Sequence, residues 1–495
     1  MHGMTQDHFD VIIVGAGISG IDAAYHVQTY CRRKSYVILE GRDAIGGTWD
    51  LFRYPGIRSD SDMYTFGYSF RPWQSSTAIA HGAAIRSYIR ETAEAYGIDR
   101  NIRFRHRVKS ASWSSDEARW TLEVERGPDR VPVRLTCNFL FGCAGYYDYA
   151  QGYRPDFPGE QKFHGRIIHP QKWPDDLDYA GKRVVVIGSG ATAVTIIPVM
   201  AETAAHVTML QRSPTYIVAR PSEDALADKL RRYLPVKFAF TLMRWRNVLR
   251  GLWFYNLCRR KPEAVKRWIM EQARLALGPD YDVETHFSPR YNPWDQRLCL
   301  APDADFFSAV KAGKAEILTD QIETFTETGI RLKSGRELAA DIIVTATGLK
   351  LQMLGGIALT VDGKPVKFGE TMNFRGTLLS DVPNFANVFG YTNASWTLKS
   401  DLVSAYVARL INYMDRHGYD QCTPRRRDPS AVPEPFLDFS SGYIVRALGE
   451  LPRQGSKKPW RLYQNYVLDL ISLRYGPVND NALEFSRRRE LKQAA

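Results

Sequence analysis

FDVIIVGAGISG, residues Phe9 to Gly20, is an apolar, β-branched run that breaks into a glycine-rich loop. Such a run marks a buried parallel strand. The loop Gly15-Ala16-Gly17-Ile18-Ser19-Gly20 has the spacing G-x-G-x-x-G, and AAYHV after it begins a helix. A second strand, SYVILE, ends in Glu40, 20 residues past Gly20. Gly15 permits the tight turn, Gly17 lets a pyrophosphate approach the backbone, and Gly20 lets helix and strand pack closely. The helix N-terminus adds amide donors and the positive end of a dipole. Glu40 stands where a carboxylate accepts both ribose hydroxyls of an adenosine. The acid suits FAD or NAD and repels a 2′-phosphate.

Working outward, RVVVI (Arg183 to Ile187) is another buried strand, followed by Gly188-Ser189-Gly190-Ala191-Thr192-Ala193. This is G-x-G-x-x-A, in which Ala193 still lets the helix pack against the strand. The next strand, HVTMLQR, ends in Gln211 and Arg212 where the first site has its acid. A guanidinium in place of a carboxylate favours a 2′-phosphate through charge-assisted hydrogen bonds; the alternative is a solvated surface charge. The first site therefore reads as FAD and the second as NADPH. The fold class expected is α/β, with two Rossmann-like dinucleotide-binding domains and a helical insertion.

Composition sets the bounds. The 495 residues suffice for roughly two to four domains, and 44% hydrophobic with 24% charged residues is ordinary for a soluble globular protein. MHGMTQDHFD has neither a basic n-region nor an apolar core, so no secretory signal is expected. No run approaches the ~18 apolar residues of a membrane span. Six scattered cysteines (Cys31, Cys137, Cys143, Cys258, Cys299, Cys422) form no C-x-x-C pair. That argues against a zinc site, a redox dithiol or a disulfide framework, and for a cytoplasmic location; no metal site is expected.

The net charge of +12 is concentrated. Between Lys229 and Arg274 stand thirteen Lys and Arg against two acids, Glu263 and Glu271, interleaved with Tyr233, Phe238, Trp245, Trp253 and Trp268. The periodicity predicts helices. Their basic face is either simply solvated or a peripheral contact with anionic lipid, for which basic helices with Trp and Phe are suited. Nucleic acid is the weaker reading, because no nucleic-acid motif accompanies the charge.

FHGRIIHPQKWP carries Phe163, Gly165, His169, Trp173 and Pro174 in the spacing F-x-G-x-x-x-H-x-x-x-W-P, shortly before the second loop. Gly46-Gly47-Thr48-Trp49 leads into Tyr54-Pro55-Gly56 and Asp60. Both patterns resemble the signatures of type I Baeyer–Villiger monooxygenases, the class B flavoprotein monooxygenases. GGTWDLFRYPGIRSDSDMYTFGYSFRPW and GYTNASWTLKSD look most like the ethionamide-activating members. The resemblance implies that Gly47 and Trp49 lie along the flavin, and that Asp60 pairs with a mobile catalytic arginine. Arg297, after Pro293 and Trp294, matches that arginine; Gln296 departs from the lysine common before it. Gly348, in the A-T-G turn after the strand from Asp341, would return the chain to the FAD domain. A helix near Ser400 would aim its N-terminus at the flavin. Trp460 in QGSKKPWR would sit in a cofactor-binding lid, unless that segment is an ordinary loop.

The implied activity uses NADPH and O₂ to turn ketones into esters or lactones through a C4a-peroxyflavin, with sulfides or thioamides as further substrates. Arg297, held by Asp60, would stabilise the anionic species, while His169 and Trp173 would couple domain motion and take no chemical step. The domain plan expected is an FAD-binding part at 1–145, a linker with the first NADPH part at 146–220, and a basic insertion at 221–294. The second NADPH part follows at 295–349, and the FAD domain with a C-terminal lid at 350–495. An N- or S-oxygenating flavin monooxygenase and a non-catalytic membrane-surface protein with a flavoprotein fold are the rivals. A flavin disulfide reductase lacks its cysteine pair.

Overall fold

The computed structural model describes residues 7–437 and 439–488. Residues 1–6, which hold most of the segment read as lacking a secretory signal, lie outside them. Strand β1 (Asp7–Val14) buries Val11 to Val14 completely or nearly so. It lies between two parallel partners, which is why its inner half is apolar on both faces. After Gly17, helix α1 (Ile18–Tyr30) returns the chain to β2 (Tyr36–Leu39), which pairs parallel with β1. The short β3 (Ile102–Arg103) extends this edge.

Next come β4 (His106–Ser114), β5 (Arg119–Arg126) and β6 (Val131–Gly142), an antiparallel meander whose last strand lies parallel to β1. Alternation with period two, shifted by an irregularity between Val108 and Ser110, puts Val108, Ala111 and Trp113 of β4 and Trp120, Leu122 and Val124 of β5 on one buried face.

A second, five-stranded sheet follows. It contains β7 (Arg166–Ile168), β8 (Arg183–Ile187), helix α2 (Ala191–Met200) and β9 (His206–Gln211). Between β9 and the rest of this sheet stand α3 (Val236–Arg260) and α4 (Pro262–Leu277). Pro262 opens α4 at a position where its missing N–H costs nothing, and Gly278 closes it with φ 106°. Strands β10 (Ala315–Thr319) and β11 (Ile342–Thr345) complete the order β10-β9-β8-β11-β7, all parallel. A hairpin around Ser334-Gly335 pairs Gly329–Leu332 with Glu337–Ala339.

The chain then rejoins the first sheet. Strand β12 (Ala358–Val361) pairs parallel with β4, and β13 (Phe385–Asn387) with β6. Helix α5 (Trp396–His417) packs on α1, burying Leu402, Val403, Tyr406, Val407, Leu410, Ile411 and Met414. It starts one turn before Ser400, after the extended Ser395, whose hydroxyl meets Thr65 Oγ1 at 2.6 Å and does not cap the first helical turn.

Candidate active site

Both glycine loops open into one cavity of about 1260 Å³. Gly17 is the N-cap of α1 and Gly190 the N-cap of α2, and neither helix has a side chain capping its first turn. Their free amides are therefore available to anionic groups in the cavity, which Gly17 and Gly190 both line. At Gly15 φ is +103°, and an added Cβ would stand 2.8 Å from the Cys143 carbonyl oxygen. At Gly20 it would stand 1.8 Å from the Gly15 oxygen. So Gly15 and Gly17 line the cavity while Gly20, behind them, allows the close packing of helix on strand. Gly188 and Ala193 divide the same labour at the second loop: Gly188 lines the cavity and Ala193 is fully buried.

Glu40 is buried, and the loop explains how it is held. Its Oε2 accepts from Ala16 N at 2.8 Å and its Oε1 from Arg42 N at 2.9 Å, so both oxygens are anchored and each keeps a lone pair. Burial pushes its carboxyl above the ordinary range against the pull of those amides and of Arg42. Gly47 and Trp49 line the cavity nearby; Gly47 has φ 55°, and a Cβ there would lie 3.1 Å from Gly17 Cα. Gly15 and Gly17 on one loop and Gly47 on another thus pinch the backbone into a cradle that side chains would fill. This fits a flavin nucleotide.

Arg212 also lines this cavity, exposed, with no ion pair to another described residue. Its neighbour Gln211 turns the other way and is buried, donating to His286 O at 2.8 Å and Thr319 Oγ1 at 2.9 Å. Gln296, where lysine was the expectation, also lines the cavity.

Asp60 and Arg297 line this space from separate segments of the chain. Both are open to the cavity, while surrounding protein screens them from bulk water. Burial raises the Asp60 carboxyl, opposed by the charges of Arg297 and Arg58. Burial works against the Arg297 charge too, but Tyr443, Tyr146, Tyr147 and Asp60 outweigh it and hold the guanidinium above its ordinary value. The two side chains form no direct ion pair within 4.0 Å. The expected hold of Asp60 on Arg297 is therefore a through-space attraction across the cavity, and Arg297 makes no hydrogen bond to another described residue.

Sequence reasoning missed several neighbours. Arg58, two residues before Asp60, is buried and fixed by Asp305. Tyr146 and Tyr147 share a hydroxyl contact of 2.9 Å, and Tyr146 stacks on Trp396. Tyr443 arrives from the C-terminal part, on a segment tied by Ser440 N and Oγ to the Asp295 carbonyl, each at 2.9 Å. Burial pushes the Tyr147 hydroxyl up to about 12, so it stays a neutral donor. Only the aromatic run Tyr146-Tyr147 was a signal visible in the sequence.

None of the fingerprint residues lines the cavity. His169 Nδ1 accepts from Gln171 N at 3.2 Å, which leaves Nε2 protonated to donate to the Gly348 carbonyl at 3.2 Å. Burial lowers its pKa and keeps it neutral. Phe163 packs with Phe325, an added Cβ at Gly165 would meet the Asp341 oxygen at 2.4 Å, and Trp173 packs on the second sheet's core next to the half-buried Pro174. Trp460 is a correction. It is buried against Phe374 in the core of the first domain and does not line the cavity, because an indole beside Gly455 and Met372 gains more from apolar contact than from a solvent-facing lid.

Behind the first loop lies a buried polar cluster. His26 Nε2 is 3.1 Å from Asp401 Oδ1 and 3.7 Å from Asp22 Oδ1, while Ser400 donates to Asp22 Oδ2 at 2.6 Å. Among the described residues these three have the spacing of a metal site. Arg244, whose charge bears on both carboxylates, supplies the positive charge that an ion would bring.

Two glycine-loop helices starting at one cavity, with an anchored acid at one loop and, at the other, an arginine without an ion pair to another described residue, define a two-dinucleotide flavoprotein. The family model described as flavin-binding monooxygenase-like matches residues 8–353, and the chain belongs to that family. It is 55% identical over 483 residues to the FAD-containing monooxygenase EthA of Mycobacterium tuberculosis (strain ATCC 25618 / H37Rv), covering 97% of this chain and 98% of the relative. It is 47% identical over 487 residues to the probable FAD-binding monooxygenase AlmA of Acinetobacter baylyi, covering 98% and 97%. An oxidized steroid monooxygenase bound to NADP superposes with TM-score 0.76 at 22% identity, covering 97% of this chain and all of that one. An open form of cyclohexanone monooxygenase gives 0.75 at 18%, with the same coverage. The protein is a flavin-dependent monooxygenase with the fold of the Baeyer–Villiger enzymes.

Proposed function

We propose that this enzyme oxidises ketones to esters or lactones with NADPH and O₂, and sulfides or thioamides as well. The observation that carries the reading is Arg297, a guanidinium with no ion pair or hydrogen bond to another described residue, in a screened cavity onto which both dinucleotide loops open. Bound FAD supplies the redox chemistry and the activation of oxygen. The chain's own part is to bind, orient and screen. Gly15, Gly17, the amides of α1 and Glu40 hold the flavin nucleotide, with Gly20 allowing their approach and Gly47 and Trp49 alongside the ring. Gly188, Gly190, Ala193 and Arg212 form the NADPH site.

When a carbonyl is attacked, negative charge develops on its oxygen. Arg297 cannot lose its proton at any working pH, so its field stabilises that charge throughout. Asp60 orients it across the cavity and balances its charge while no anion is present. His169 and Trp173, outside the cavity, act on the joint between linker and second sheet through Gly348. The proposed domains are 1–145 and 350–495 for FAD, 146–220 and 295–349 for NADPH, and 221–294 for the insertion. Residues 229–274 make peripheral contact with anionic lipid, and six free, buried cysteines support a cytoplasmic location.

The test is NADPH consumption with product identification over linear, cyclic and aryl ketones and sulfides. Esters or lactones from ketones are expected. Sulfoxides from sulfides with every ketone returned unchanged would make this an N- or S-oxygenating enzyme.

A further inference from the structure

Helix α3 has two apolar faces. The inward one buries Ala239, Phe240, Met243 and Val248, and Arg244 beside them donates to the carbonyls of Tyr64, Thr65 and Gly67 at 2.8–3.2 Å. The outward one carries Phe238, Leu242, Trp245, Leu249 and Trp253, which are 36–63% exposed. Their spacing of four, three, four and four residues draws one stripe down most of a helix about 37 Å long. A surface helix ordinarily turns polar residues outward. The C-terminal part borders the stripe: the Trp245 ring lies 5.8 Å from that of Tyr466, and the exposed Leu468 and Ile471 follow within two turns.

Charge selects the occupant. The helix contains six Lys and Arg and no acid. By helical geometry Lys237 and Arg250 flank the stripe on opposite sides and Arg260 continues it. All three are exposed, and none has an ion pair to another described residue. A second copy seated here would face one acid-free helix with another. An anionic bilayer instead offers headgroups to the bases and acyl chains to the aromatics. No described helix is long and apolar enough to cross a membrane.

We infer that the outward face of α3 is the docking surface for an anionic lipid bilayer, with the helix lying in the plane of the headgroups. This deepens the lipid contact proposed for residues 229–274 and does not depend on the oxygenation chemistry. Held by Arg244, α3 brings the flavin domain to the surface as one piece.

The experiment floats FAD-loaded enzyme with phosphatidylcholine vesicles, plain or containing about one-third phosphatidylglycerol. The wild type is compared with a Leu249→Glu/Trp253→Glu variant, and sedimentation velocity is run without vesicles. Wild type should float with the anionic vesicles alone and be released by salt. The variant should bind at least about tenfold more weakly, with unchanged sedimentation and NADPH oxidation in solution. Absent flotation, equal flotation on neutral vesicles, or a variant that floats as well as wild type would overturn the inference. A shift from dimer to monomer in the variant would give the stripe to a second copy.

Discussion

The two glycine loops share a spacing and differ in what surrounds them. At the first, Gly15 and Gly20 are both crowded by backbone, and Glu40 is buried with each oxygen on an amide. At the second, Gly188 is equally crowded, its Cβ position 2.3 Å from the Ala346 oxygen, and Ala193 stands in the place of Gly20. An added Cβ at Gly190 would meet nothing within 4 Å, while at its counterpart Gly17 it would stand 3.5 Å from Gly47 Cα, against a second glycine segment. The strand after it ends in the exposed Arg212. A cradle closed by its own backbone suits a cofactor that stays through turnover. An open turn with a long cationic side chain suits one that comes and goes. Arg297 stands where the two meet.

The largest effect should come from that junction. Arg297→Ala removes the guanidinium facing both sites, and losing such stabilisation costs about 2.7–4 kcal/mol, or 10²–10³ in rate. Ketone oxygenation should fall by that factor or more, with residual NADPH oxidation diverted to hydrogen peroxide. The first site is untouched, so the variant should purify yellow. Lys should rescue poorly, being a point charge without the planar fork. Stopped-flow mixing of the reduced variant with O₂ and a good ketone is the check; near wild-type conversion would remove Arg297 from the chemistry.

Next comes a test of a packing glycine at the first loop against a cavity-lining glycine at the second. Gly20→Ala places a methyl against the Gly15 oxygen. It should destabilise the holoenzyme at the upper end of the ~1–3 kcal/mol typical of overpacking and lose FAD on gel filtration. Gly190→Ala has φ −78° and free space, so it should hold FAD and remain within about 0.5 kcal/mol of wild type, while NADPH binding weakens. Equal FAD loss in both would mean that the two loops do not serve separate nucleotides.

Arg212 sharpens the same contrast. Removing it should weaken NADPH by about 1–3 kcal/mol and leave NADH nearly unchanged, read as KM for each coenzyme. The FAD site, whose anchors are backbone amides, should show no change in flavin content. Parallel losses for both coenzymes would mean that Arg212 does not touch the 2′-phosphate.

How much of this was legible follows from distance along the chain. Strand, turn and helix around Gly15 and Gly188 obey local rules of period and backbone freedom, so both loops and Glu40 could be read directly. The helix face of α5 was equally readable, since it repeats every third or fourth residue. Convergence was not. Arg297, Asp60, Tyr147 and Tyr443 come from four separate segments, and without the family resemblance no spacing links them. Trp460 was misread because Gly, Pro and Lys around it signal a loop, while the pocket that takes its ring is built by Met372 and Phe374. Asp22 and His26, one helical turn apart, were readable as neighbours, but their partner Asp401 lies 375 residues beyond His26.

That cluster gives the smallest effect and the last contrast between the loops. Helix α2, behind the second loop, is ATAVTIIPVM, with no charge, whereas α1 buries Asp22 and His26. Burial, then the nearby Asp401, raises Asp22 from 3.8 to about 7. Asp401, despite burial, is held down to about 2 by its hydrogen bond to His26, whose own pKa is raised against burial chiefly by Asp401. For Asp22 the folded state binds the extra proton, so its contribution falls as pH rises from about 4 to about 7 and is flat above. The contribution of His26 is complete below its unfolded value of about 6.5 and is also lost as pH rises through the folded value. Asp401 acts oppositely, its contribution present above about 4 and lost toward pH 2. Asp22→Asn keeps an oxygen for Ser400 and abolishes the first of these titrations. The melting temperature of the variant minus that of wild type should therefore increase between pH 5 and 8, by about 1–3 °C. Circular-dichroism melts of the FAD-loaded proteins at unit pH steps would read it. Parallel profiles would show that Asp22 is already ionised at pH 5, and the helix behind the closed loop would then differ from its counterpart in charge alone, without a shared proton.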